Sequence, residues 1–143
     1  MEKSLNLDFT GFNLPDIDAD MASPLTLAYI GDAVYELAVR TIVIGRHREP
    51  VNKLNRRATM LVKAETQSEM VETLLPLFTK EEEAVYKRGR NAKSSSSAKN
   101  ASIQDYRRAT GFEAVMGWLY LKGETDRMLY LIQKAFEAGK EQP

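Results

Sequence analysis

The chain has 143 residues, 20 Lys and Arg balanced by 20 Asp and Glu, no cysteine, and 43% hydrophobic residues. That length suits a single core, the missing cysteine excludes a disulfide framework and any thiolate metal site, and apolar runs of a few residues exclude a membrane-spanning helix, which needs roughly 20. The acidic N-terminus, MEKSLNLDFTGFNLPDIDAD, lacks the basic start, apolar stretch and cleavage site of a secretory signal, so the expected compartment is the cytoplasm.

Residues 1–22 read as an arm, with Pro15 and scattered Asp, in which Leu5, Leu7, Phe9 and Phe12 can tuck onto the body. Ser23-Pro24 starts a helix, Ser as cap and Pro at the first helical position, that runs to Ile44 and stops at Gly45. After Pro50, a short helix through Val51, Leu54 and Ala58 leads into a longer one from about Val62 to Leu75, ended by Pro76. Thr79 followed by Glu81, Glu82 and Glu83 is a capping-type start for a fourth helix that closes at Gly89. The stretch RNAKSSSSAKN, residues 90–100, reads as a loop; a fifth helix covers Ile103 to Leu121 and breaks at Gly123, and a sixth covers Thr125 to Ala138. No strand alternation is present, and the expected class is all-α.

The zero net charge hides an uneven distribution. Residues 1–20 carry five acids and one base, residues 21–83 nine acids and eight bases, and residues 84–108 seven bases against Asp105 alone. Lys87, Arg88, Arg90, Lys93 and Lys99 crowd the end of the fourth helix and the loop after it, the pattern of a localised polyanion contact or of a solvated basic loop.

The first and fifth helices are apolar over most of their circumference, marking them as a central pair. Each nevertheless carries an acid: Asp32 in LAYIGDAVYELAV, with Glu36 one turn later, and Glu113 in ATGFEAVMGWLYL. A buried carboxylate requires a cation, a metal or a pocket of water. A structural polar stripe of Asp32, Glu36 and Arg40 with Glu113 in an ion pair is one reading. The other is a carboxylate pair around one hard cation such as Mg2+. Gly31 beside Asp32 and Gly117 one turn beyond Glu113 each cost a helix about 1 kcal/mol relative to Ala, which implies that something approaches closely there. His47 and the Ser94–Ser97 run lack the partners of a general base or a nucleophile. Trp118, Tyr120 and Leu121 suit a core or a subunit interface.

At these residues the chain resembles the ribonuclease III family, whose signature pairs a GDA-containing helix with a later FEA-containing one: LAYIGDAVYE at 27–36 and FEAVMGWLYL at 112–121. The likeness is greatest to the mini-ribonuclease III subfamily, which has the catalytic domain alone. It includes EEEAVYKRGRNAKS at 81–94 and the short helix after Pro50, and extends from Leu25 to Phe136. The resemblance implies a catalytic domain over 23–143 with the family's helical bundle, acting as a homodimer that cuts double-stranded RNA and leaves 5′-phosphate and 3′-hydroxyl ends. It puts the metal-binding aspartate at Asp32 and the essential late glutamate at Glu113, with Mg2+ as cofactor. It further implies maturation of the ends of large-subunit (23S) ribosomal RNA, on a precursor carrying a ribosomal protein. Larger relatives have glutamates at the positions of Leu25 and Ala28 and an aspartate at that of Thr110, so this chain offers fewer anionic ligands; Thr110 is placed to bond a metal-bound water. The family's separate double-stranded-RNA-binding module has no room after the sixth helix, so Lys87, Arg88, Arg90, Lys93 and Lys99 become the expected RNA contacts. The competing readings are a non-catalytic binder of structured RNA on the same fold and a helical adaptor whose basic loop grips an acidic protein.

Overall fold

Six helices, arranged around one of their number, make up the computed structural model, which describes residues 7–93, 102–139 and 143 and contains no strand among them. Helix α1 spans Pro24–Arg46, and its first turn is fixed by the Ser23 hydroxyl accepting the Thr26 N–H at 3.2 Å. It runs through Gly45, which does not terminate it. The chain leaves at His47 in an extended conformation, on the way to Pro50, before which helical backbone is disfavoured.

Helices α2 (Val51–Val62) and α3 (Ala64–Leu74) are separated by Lys63, whose backbone is extended although no Gly or Pro marks the break. Three buried side chains stabilise it by capping successive carbonyls at the end of α2. The Thr66 hydroxyl donates to Met60 O at 2.6 Å, the Tyr35 hydroxyl to Leu61 O at 2.7 Å, and the Gln67 amide to Val62 O at 3.0 Å. A 3₁₀ turn over Leu75–Leu77, containing Pro76, ends this section.

Helix α4 (Lys80–Asn91) opens with a reciprocal capping box between Thr79 and Glu82. It continues two residues past Gly89. That glycine is buried, and a methyl group there would come within 2.9 Å of both Ala114 and Gly111, so it permits a helix crossing instead of ending a helix. Helix α5 (Ile103–Leu121) is capped by Ser102, whose hydroxyl accepts the Asp105 N–H at 3.0 Å, and is followed by Gly123 at φ +76°. Helix α6 (Thr125–Ala138) completes the set.

α5 is the axle: α1, α3, α4 and α6 all pack on it, α1 most extensively. Phe112, Val115, Met116 and Leu119 are fully buried there. α1 is central on one side only, because Leu25, Tyr29, Ala33 and Leu37, spaced at i+4, form an outward row. Before α1, Ala19 is buried and Asp20 accepts the Trp118 indole N–H at 2.8 Å. Leu7, Phe9, Leu14 and Ile17 line a cleft of about 610 Å3 against Ile30 and Tyr120 but remain exposed, as does Phe12, which lies outside that cleft; Leu5 lies outside the described residues.

Candidate active site

The place where α1 meets α5 is set by two glycines. A methyl group on Gly31 would lie 1.7 Å from the carbonyl oxygen of Glu113, and one on Gly117 would lie 2.0 Å from that of Leu27. Neither position tolerates any side chain, so the close approach inferred from sequence is that of one helix backbone to the other. With Tyr35 stacked edge-on against Phe112 at 4.9 Å, these pairs run in opposite directions along the two helices, which are therefore antiparallel.

That crossing brings the side chains of Asp32 and Glu113 within interacting range of one another. Asp32 is exposed and Glu113 partly buried. Burial first, then the negative charge of Asp32 and the carboxyl-to-carboxyl hydrogen bond, push the Glu113 carboxyl up to about 8. No cationic side chain pairs with Glu113 among the described residues, so the expectation of an ordinary ion pair for it does not hold. Glu36 behaves differently: one turn beyond Asp32, it bonds Arg40 at 2.6 Å on the helix surface.

Gln67 is a site residue that the sequence pattern alone did not single out. It is 1% exposed, and its Nε2 donates both to Val62 O and, at 3.4 Å, to Glu113 Oε2, while its Oε1 is buried with no partner. The Glu113 hydrogen bond opposes the upward shift of that carboxyl. A signal did exist, since Gln67 heads the stripe Gln67, Met70, Val71, Leu74, where the helical period calls for an apolar residue. Tyr35 is buried beside this group; desolvation and the nearby Glu113 hold its hydroxyl far above its ordinary range, as a permanent donor to Leu61.

Thr110 is buried one turn before Glu113 and donates to Tyr106 O at 2.9 Å, which leaves its oxygen lone pairs free to accept. Leu25 is 39% exposed and Ala28 buried; neither offers an oxygen, and no group of three or more acidic or histidine side chains that could hold a metal occurs among the described residues. Lys87, Arg88 and Lys93 are exposed, Lys87 within 3.6 Å of Glu83. Arg90 lies over the Tyr86 ring at 5.6 Å and bonds Asn91. Arg90, Asn91, Gln104, Arg107 and Arg108 line a cleft of about 390 Å3 where α4 ends and α5 begins, which brings Arg107 and Arg108 into the basic region. Lys99 lies outside the described residues.

This arrangement can hold a cation between two carboxylates and present cations to a polyanion. The ribonuclease III domain family matches residues 25–124. The chain is 50% identical over 121 residues to Mini-ribonuclease 3 of Clostridium tetani, spanning 84% of this chain and 80% of that protein. To Mini-ribonuclease 3 of Staphylococcus aureus it is 41% identical over 124 residues, 85% and 92% of the two chains. A crystal structure of a protein from Fusobacterium nucleatum superposes with a TM-score of 0.73 at 26% identity, covering 79% of this chain and 90% of that one.

Proposed function

The chain belongs to the ribonuclease III family, and on that premise we propose a Mg2+-dependent endoribonuclease that cuts double-stranded RNA at Asp32 and Glu113. Its proposed cellular task is to mature the ends of the large-subunit (23S) ribosomal RNA precursor in the cytoplasm, with a ribosomal protein on that precursor as partner. No helix among the described residues is long and apolar enough to cross a membrane.

The observation that carries the reading is the approach of two carboxylates at a glycine-locked crossing, with no cationic side chain among the described residues to separate them. Such a pair is repulsive when both groups are ionised, and the buried, unpartnered Oε1 of Gln67 is a further oxygen in want of a donor. Both features fit a hard cation with its bound water, held by Asp32 and Glu113. When bound, Mg2+ supplies an activated water and neutralises charge developing on the phosphodiester. The chain's own part is positional. Gln67 fixes the rotamer of Glu113, and Thr110 offers its hydroxyl oxygen to a water. Lys87, Arg88, Arg90, Lys93 and Lys99 are assigned to the RNA backbone, where cations position without reading sequence.

A homodimer is part of the proposal, because two strands of one duplex need two such sites related by two-fold symmetry. The outward row Leu25, Tyr29, Ala33, Leu37 supports α1 as the shared face, Tyr29 being 82% exposed. The apolar positions of α5 are occupied within the chain and leave little for a partner.

The test is incubation of the protein with a long RNA duplex, with and without Mg2+, followed by mapping of the ends. Cleavage only with the ion, leaving 5′-phosphate and 3′-hydroxyl ends, is expected. Binding without cleavage at any Mg2+ concentration would favour the non-catalytic binder, with which the apolar Leu25 and Ala28 are compatible. Sequencing precursor ribosomal RNA ends in cells lacking the protein tests the cellular task, and sedimentation at micromolar concentration tests the dimer.

A further inference from the structure

A second strongly basic surface lies away from α4. The neutral balance of residues 21–83 conceals it, because residues 37–63 hold seven Lys and Arg and a single acid, Glu49, whereas the acids cluster later, from Glu65 onward. Two of the seven cations are neutralised locally, Arg40 by Glu36 and Arg57 by a two-pronged bond to Glu49 at 2.7 and 2.9 Å. Arg46, Arg48, Lys53 and Arg56 are all exposed, and no ion pair is found for any of them among the described residues. They occupy the last turn of α1, the connection after it and one face of α2, where Lys53 and Arg56 are three residues apart. Glu49 lies among them in the chain, and its carboxylate is held below its ordinary range by its Arg57 hydrogen bond, with His47 and Lys53 also close enough to contribute. A merely solvated face interleaves both signs, whereas in this one the single acid, Glu49, is taken up by Arg57 and the remaining exposed charges are positive.

The topology places this surface at the same end of the molecule as the first. α1 and α5 are antiparallel, so advancing along α1 from Asp32 to Arg46 is retreating along α5 from Glu113 towards Arg107. At the helical rise of 1.5 Å per residue, Arg46 lies about 21 Å along the axis from Asp32, and Arg107 about 9 Å from Glu113. Two groups of cations, one at the end of α1 and start of α2, the other at the end of α4 and start of α5, where Lys87 pairs with Glu83 and Arg108 with Glu72 but Arg88 and Lys93 stand exposed, therefore flank one end of the helix pair that carries the carboxylates. A ligand reaching both must be a long polyanion with repeated charges. The chemistry that fits is an RNA duplex, whose A-form backbone is met through phosphates and 2′-hydroxyls over many base pairs.

We propose that Arg46, Arg48, Lys53 and Arg56 form a second RNA-backbone contact surface, which together with the α4 to α5 cations holds the duplex across the end of the α1–α5 pair. The inference rests on the double-stranded-RNA reading above and adds a place of contact to it. It gives the catalytic domain two moderate basic surfaces with which to hold its substrate.

The experiment measures binding of a duplex RNA in Ca2+ or without divalent cation, as a function of salt, for the parent and for the combined variant Arg46→Gln, Arg48→Gln, Lys53→Gln, Arg56→Gln. All four are exposed, so the melting temperature should stay within a few degrees of the parent. The slope of log K against log salt should become shallower by roughly 0.7–0.9 for each phosphate no longer neutralised, and affinity at 0.1 M salt should fall at least about tenfold. A charge control that changes the net charge by the same four units, Lys80→Glu with Lys134→Glu, should leave the slope near that of the parent. The proposal is overturned if the combined variant keeps the parent slope and affinity, or if the control lowers them equally, since the effect would then be net charge. If the parent cleaves duplex RNA and the combined variant binds as well as the parent, the second surface alone is refuted and the ribonuclease reading stands. If the parent neither binds nor cleaves a duplex, the ribonuclease reading fails with it.

Discussion

The crossing of α1 and α5 and the basic end of the same two helices are built on opposite principles. At the crossing, backbone meets backbone: Gly31 and Gly117 leave no space for a methyl group, and the helix segments that carry Asp32 and Glu113 are held together by main-chain geometry. At the basic end, Arg88 and Lys93 stand in solvent, and Arg90 rests on a tyrosine ring. The first arrangement suits chemistry, which loses rate with small displacements. The second suits a backbone ligand that offers phosphates in many registers. Substitution should therefore be severe and specific at the crossing, graded and additive at the end.

The largest effect is expected from the carboxylates. Asp32→Asn and Glu113→Gln keep shape and remove charge, and single-turnover cleavage should fall by roughly three orders of magnitude or more while duplex binding is retained. Near-normal cleavage by either variant at limiting Mg2+ would remove that residue from the site. Glu113 also makes the crossing sensitive to pH. Its folded carboxyl sits at about 8, above the value of 4.5 expected for the unfolded chain. Between those values the folded state binds the additional proton, so the metal-free protein should lose stability as pH rises from about 4.5 to 8. Melting curves without divalent cation should show that decline, and Glu113→Gln should abolish it.

Next in size is the glycine lock. Gly117→Ala must displace Leu27 O or separate the helices, at a cost of about 3 kcal/mol or more. Denaturant unfolding would measure it, and an unchanged midpoint would mean that the helices do not approach as described. Gln67→Leu ranks below, because it removes a single hydrogen bond to Glu113 and leaves the crossing intact. Loss of a group that supports a metal ligand typically costs 10–100-fold in metal affinity or activity. Mn2+ binding followed by electron paramagnetic resonance should weaken by that range with duplex affinity unchanged.

These differences also explain which features are legible in the sequence. Helix starts at Ser23-Pro24, Thr79 and Ser102 depend on side chains within three residues of the amides they cap, so local pattern suffices to find them. Gly89 resembles a stop in the sequence but is not one, because a glycine's role depends on what faces it, and Gly89 faces Gly111 and Ala114, more than twenty residues away. The break at Lys63 is invisible locally for the same reason: its caps include Tyr35, on another helix. The meeting of Asp32 and Glu113 is legible through the two glycines, whereas the Gln67 contact to Glu113 spans 46 residues and leaves only an amide on an apolar stripe as its trace.

At the basic end the expected losses are smaller and proportional. Neutralising Arg88, Arg90 and Lys93 together should weaken duplex binding and make the salt slope shallower by up to about 2–3, at roughly 0.7–0.9 per phosphate. Cleavage at saturating RNA should change much less. Unaltered binding across a salt titration would make this region a solvated connector and move the RNA-binding surface elsewhere.

The smallest effect should come from Glu36, which tests whether the crossing is as selective as its geometry implies. Glu36 lies one turn from Asp32 and by spacing alone is a third candidate ligand. In the structure its carboxylate instead bonds Arg40 at 2.6 Å, an i,i+4 pair with side chains 38% and 60% exposed. Such surface pairs contribute about 0.3–0.5 kcal/mol and are screened by salt. Glu36→Gln should accordingly leave the melting temperature within about 2 °C and cleavage within about threefold of the parent, with no shift in the Mg2+ concentration giving half-maximal rate. A tenfold shift in that concentration would show that Glu36 exchanges Arg40 for the cation when RNA is bound, and the site would then contain three carboxylates instead of two.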